Sequence, residues 1–250
     1  MATSQNSQIH SSLFAAETTP DRPAVAPLQA LRRFTRERPA APATTEHCEL
    51  CSAVIPREHR HLLELSQRTL LCTCAACAIL FSNERAGKYH LVPQRYFLLS
   101  GFAMTDEQWN ALLIPVNMAY IFYSTQAREQ TALTEEIEKA RTVMAFYPGP
   151  AGAIESLLDL HEWKMLAEEN PIVQTMEPDV EALLINRIAS THEYYLVPID
   201  TCYHLVGLIR TYWRGFSGGE AVWTAITDFF RDLRARAHTE GGKADARAQL

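Results

Sequence analysis

No stretch of the 250 residues approaches eighteen consecutive apolar positions, so the sequence offers no candidate for a membrane-spanning helix. Its beginning also lacks a basic segment followed by an apolar run, the pattern of a secretory leader, and the expectation is a soluble cytoplasmic protein. Glycine is scarce, 10 residues in all, and neither a GxGxxG nor a GxxxxGK pattern occurs. That removes the usual dinucleotide and P-loop signatures. Cysteine is scarce as well, six residues, and five of them crowd into one segment instead of spacing out as a secreted disulfide framework would. Positive charge is in short supply through 101–190, where Lys+Arg minus Asp+Glu comes to −9 against −6 for the whole chain. A nucleic-acid groove is not expected there.

What is present is concentrated in 47–81, HCELCSAVIPREHRHLLELSQRTLLCTCAACAILF. A Cys48-x2-Cys51 pair is followed some twenty residues later by Cys72, Cys74 and Cys77. Two CxxC pairs separated by a hairpin-length segment can close a tetrahedron of thiolates, which suits zinc or, less often, iron. His61 to Leu65 reads as one strand, Ser66-Gln67-Arg68 as the turn, Thr69 to Cys72 as the return, and AACAILF as the start of a helix. Knuckle, hairpin and helix in that order is a treble-clef or zinc-ribbon-like module. The expected ligands are Cys48, Cys51, Cys74 and Cys77, the last two on the first helical turn, where the macrodipole favours thiolates. Cys72 or His61 could substitute. His59 and His61 alternate on a short segment, so at most one of them is expected to face the metal. Four thiolates leave no open position on zinc, and neither Glu58 nor Glu64 sits in a zinc-enzyme pattern. Iron in a rubredoxin-like site is the alternative, although Ser52 and Ala78 stand where such sites carry glycine. Arg57, Arg60, Arg68 and Arg85 read as solvated partners of nearby glutamates.

Around this module the chain divides into a disordered tail (1–46, with a helix-prone Leu28 to Phe34), the cysteine-rich module (47–86), an α+β domain (87–236) and a flexible tail (237–250). Within the domain, Gly87 to Pro93 predicts a strand and Thr105 caps a helix carrying Trp109, Leu112 and Leu113. Asn117 to Ser124 and Thr142 to Tyr147 form an antiparallel hairpin whose acidic, helix-prone tip occupies 125–141. Pro148 to Ala153 turns into a helix beginning near Ile154, a second helix runs from His161 to Glu169, and a third from Asp179 to Arg187. Tyr194 to Ile199 is a strand. Asp200 or Thr201 then caps a helix containing Cys202, read as a core residue or, less simply, a further ligand. Gly215 to Gly219 breaks it before a last amphipathic helix. A catalytic site built from His161, Glu162, Asp200 or His204 has no spacing that ties those residues together.

Several phrases together, HCELC with EHRHLLEL and LLCTCAACAILF, Ala145-Phe146-Tyr147-Pro148 with AGAIESLL, MEPDVEALL, and YYLVPIDTCYHLVGLIRTYWRGFSGG, resemble one family. It is an uncharacterised bacterial family encoded beside nickel-iron hydrogenases, especially the actinobacterial-type enzymes that oxidise atmospheric hydrogen. The likeness runs from 47 to about 236, with 125–141 as an insertion. It implies a metal-binding, non-enzymatic accessory protein that acts on a hydrogenase subunit or another maturation protein.

Overall fold

A computed structural model describes residues 45–82, 87–125 and 142–239. The N-terminal tail through Thr44, Arg85, the acidic tip 126–141 and residues 240–250 lie outside the described residues. The expected α+β class holds in its broad sense: a small antiparallel sheet precedes a larger mixed sheet with helices on both faces.

The small sheet has the order β2-β1-β3, from β1 (Arg60–Glu64), β2 (Thr69–Thr73) and β3 (Tyr89–Leu91). Arg68 closes the β1–β2 turn at φ 51°, in the left-handed region that such a tight reversal requires. Helix α1 (Ala75–Phe81) follows, with Cys74 at its N-cap. Arg68 is no solvated partner of a glutamate. Its Nη2 donates to Ser124 Oγ at 2.8 Å, and its guanidinium lies 5.7 Å over the Phe122 ring.

The larger sheet has the order β10-β4-β9-β8-β5-β6-β7. Its strands are β4 (Phe97–Leu98), β5 (Met118–Ser124), β6 (Thr142–Gly149), β7 (Gly152–Ser156), β8 (Glu181–Asn186), β9 (Glu193–Pro198) and β10 (His238–Thr239). Side chains of the central strands alternate between two cores. Tyr120, Phe122, Ala182, Leu184, Tyr195 and Val197 face the core made with α4 (Ile199–Tyr212) and α5 (Glu220–Arg236). Leu63 of β1 joins this same core. Ala119, Ile121, Leu183, Ile185, Tyr194 and Leu196 face the opposite core, under α2 (Asp106–Ala111), α3 (Leu160–Glu169) and a 3-10 turn at Pro171–Thr175.

The expected β5–β6 hairpin is present, with Tyr120 opposite Phe146. So is the α2 start, where Thr105 and Gln108 form a reciprocal capping box. Four elements differ from expectation. The helix expected near Ile154 is strand β7, because β6 runs on to Gly149 and turns back over Pro150 and Ala151 to Gly152. Gly152 sits at φ 134°, where a side chain would be strained. The helix expected over Asp179 to Arg187 is β8, whose every residue is buried. Asp179 is instead a turn residue at φ 65°, and its carboxylate accepts from Thr125 Oγ1 at 2.6 Å. The helix after β9 starts at Ile199 with no side-chain cap bond, so Asp200 and Thr201 lie inside its first turn. His238 and Thr239, expected in a loose tail, pair in parallel with β4.

Candidate metal centre

Cys48 and Cys51 are set by a tight knuckle. The Ser52 amide donates to the Cys48 carbonyl at 2.7 Å, the Cys48 amide donates to the Ala53 carbonyl at 2.7 Å, and His47 bridges Val54. Ser52 takes φ 61°, the left-handed conformation for which glycine is the usual choice, so the knuckle forms although serine stands there. Cys74 and Cys77 come from the N-cap and first turn of α1, with the Cys77 amide 3.4 Å from the Cys74 sulfur. These two local structures face each other. The four sulfurs lie within 4.8 Å of one another, and Cys51 Sγ to Cys74 Sγ is 3.7 Å. All six cysteines are free thiols, so the cluster is not a disulfide.

The thiols do not titrate alike. Burial opposes ionisation of Cys48, but the backbone amides of Cys74, Leu50 and Cys51 outweigh it and hold that thiol down at about 6. Burial and the neighbouring Cys51, Cys74 and Cys48 sulfurs push Cys77 up to about 12. At Cys51 the Ala53 amide favours the thiolate, yet the Cys48 and Cys74 sulfurs move the balance upward. Without a cation, negative charge is therefore favoured on Cys48 and disfavoured on Cys51 and Cys77. A divalent ion would reverse that preference, because a charge of +2 beside the four sulfurs stabilises them as thiolates. The arrangement can hold a metal ion, and with four sulfur donors it would leave no position open.

Cys72 is not part of this group. It pairs across the hairpin with His61, and one ligand atom from each of His59, His61 and Cys72 lies within 4.8 Å of the others. Neither histidine joins the four cysteines, where at most one was expected to face the metal; both lie instead on one side of the chain beside Cys72. The rings are 4.7 Å apart, edge to face. Burial, Glu49 and Glu46 raise the Cys72 thiol above its ordinary value. Cys202 is wholly buried in the core between α4 and the sheet, and burial together with Asp200 raises its thiol well above normal. That is the core position expected of it.

The residues weighed for catalysis are not assembled. His161 and Glu162 start α3 on one face of the large sheet, while Asp200 and His204 belong to α4 on the other. His204 packs edge-on against Phe229, and Asp200 is taken up by His61. A surface cleft of about 470 Å³ opens beside β4 and β9, lined by Phe102, Met104, His192 and Tyr194 among others, and contains none of these residues. No helix among the described residues is long and apolar enough to cross a membrane.

Residues 47–237 match the model of a family of unknown function, DUF5947. No curated protein and no solved structure matches the chain.

Proposed function

Starting from a chain that belongs to this family of unknown function, we propose that residues 47–82 are a treble-clef module holding one zinc ion through Cys48, Cys51, Cys74 and Cys77, and that the protein acts by binding another protein during nickel-iron hydrogenase maturation or assembly. The observation that carries the reading is the pairing of a four-sulfur cluster with an exposed apolar helix beside it. Four thiolates stabilise a fold and leave zinc no catalytic position. Helix α1, which carries two of them, buries Cys77 and Ala78 and leaves Ile79 and Leu80 at 75% and 69% exposure. Exposed apolar residues on an element fixed by a metal are suited to protein contact. The hydrogenase context comes from the resemblance of the sequence phrases alone. Its partner would be a hydrogenase subunit or another maturation protein.

The test is deletion of the gene in a host that makes such a hydrogenase, followed by complementation with wild type or with Ile79→Asp/Leu80→Asp. Loss of assembled, active enzyme that wild type restores and the double variant does not is the expected result. Normal assembly in the deletion strain sinks the reading. The second reading, rubredoxin-like iron for electron transfer, is favoured by the backbone amides of Leu50 and Cys51 directed at the Cys48 sulfur, a feature such sites use to tune potential. Metal analysis and a visible spectrum of protein purified without oxygen separate the two, zinc giving a colourless protein and iron a charge-transfer band.

A further inference from the structure

We infer that His59, His61 and Cys72 form a second metal site, distinct from the four-cysteine cluster and open at one coordination position, that takes a late first-row transition-metal ion. It does not depend on which ion the four cysteines hold.

The hairpin sets the three residues together. His61 on β1 and Cys72 on β2 are direct cross-strand partners, so their side chains rise from the same face of the small sheet. His59, just ahead of β1, brings its ring to 4.7 Å from that of His61, on the same side as Cys72. Cys72 is held in place by Glu49, whose carboxylate accepts from the Cys72 amide at 2.6 Å and whose own amide donates to the Cys72 carbonyl at 2.9 Å.

Each ring is held through its Nδ1. His59 Nδ1 lies 2.9 Å from the Pro56 carbonyl oxygen and 3.3 Å from the Glu46 carboxylate. A carbonyl oxygen only accepts, so Nδ1 carries the proton and Nε2 presents its lone pair. That Nε2 is buried without a hydrogen-bond partner among the described residues, on a side chain only 7% exposed. A buried ring nitrogen whose lone pair has no partner is unusual in a folded protein, and a metal ion is one group that would satisfy it. His61 Nδ1 lies 2.8 Å from Asp200 Oδ2. A carboxylate behind the far nitrogen of an imidazole fixes its tautomer and raises its basicity, which is the arrangement found behind metal-bound histidines. Asp200 sits in the first turn of α4, so this support comes from the main domain and not from the hairpin.

The donors decide the class of ion. Two imidazoles and one thiolate disfavour Mg²⁺ and Ca²⁺, which want oxygen, and suit Zn²⁺, Ni²⁺ or copper. Glu46, Glu49 and Asp200 surround the site with carboxylates that favour a cation. Three protein ligands leave a fourth position for water, a small ligand or a donor from a partner protein, in contrast with the closed cluster of cysteines.

The test uses the full chain, reduced and stripped of metal, titrated with Zn²⁺ and with Co²⁺, with bound ions counted by native mass spectrometry. Wild type should bind two ions. His59→Ala/Cys72→Ala should bind one and keep the cobalt spectrum of a four-thiolate site, while Cys51→Ala should keep the other. Two results overturn the inference: a single ion in wild type that His59→Ala/Cys72→Ala retains, or two ions in that variant. If instead the ion is lost with His59→Ala/Cys72→Ala and kept in Cys51→Ala, the second site stands and the four-cysteine reading falls. Should the double variant not fold, the second equivalent of Co²⁺ added to wild type decides. A saturable step with a weaker sulfur charge-transfer band than the first supports the site, and no second step overturns it.

Discussion

Glu181, completely buried at the first position of the central strand β8, is gripped by the Arg95 guanidinium, with Arg95 Nη2 donating to its Oε2 at 2.6 Å and Nε to its Oε1. The Glu177 amide donates to the same Oε2 at 2.8 Å, so both carboxylate oxygens are satisfied. Removing one member of a buried pair strands the other without water. Arg95→Ala should therefore lower stability by about 2–3 kcal/mol, less than the roughly 3–5 kcal/mol of a fully enclosed pair because Arg95 is 38% exposed. Urea unfolding measures it, and an unchanged midpoint would show that water replaces the guanidinium.

The positions where the sequence was legible and where it was not share a cause. That Cys48, Cys51, Cys74 and Cys77 come together was legible because each pair is placed by local geometry, a knuckle and a helix turn. The capping box of Thr105 and Gln108 is local too. Strand β8 is not: Glu181-Ala182-Leu183-Leu184-Ile185-Asn186 carries helix-favouring residues and no alternation, because both of its faces are buried and polarity has nothing to mark. Only its partners β5 and β9, more than five residues away in sequence, make it a strand. The paired histidines were hidden by a misjudged period, since His59 and His61 share one side of the chain.

Burial on both faces of β8 carries its own expectation. Leu183 and Leu184 are neighbours in sequence, both fully buried, in opposite cores. Leu183→Ala and Leu184→Ala should each cost about 2–5 kcal/mol. An amphipathic helix would tolerate one of the two, so a variant with wild-type stability would contradict the strand.

Acid should weaken the four-cysteine site. Cys51 and Cys77 hold their protons more tightly than free thiols do, so metal binding must release protons, and apparent zinc affinity falls as pH drops from about 8 to about 6. In the metal-free protein Cys48 acts separately. Its thiol is lowered in the fold, so the stability it contributes is present above the ordinary value of 9.0 and is lost as pH falls through about 6. Competition with a chromophoric chelator across that range, alongside thermal melts of stripped protein, reads both effects. An affinity flat with pH would mean that the thiols are not the ligands.

Serine substitution separates a ligand cysteine from a packed one. Cys77 and Cys202 are both buried, but Cys77 faces three other sulfurs whereas Cys202 faces the hydrocarbon of α4, α5 and the sheet. Cys77→Ser removes a thiolate from a four-sulfur set, so zinc bound at that cluster should be lost or greatly weakened while the large sheet remains folded. Cys202→Ser should keep the zinc and lower stability by about 1–3 kcal/mol, because a hydroxyl is placed where few acceptors reach it. Zinc per chain and melting temperature, measured together on both variants, give the answer. Equal zinc content in the two would remove Cys77 from the metal centre, and loss of zinc from the Cys202 variant would mean that the module depends on the core beneath α4.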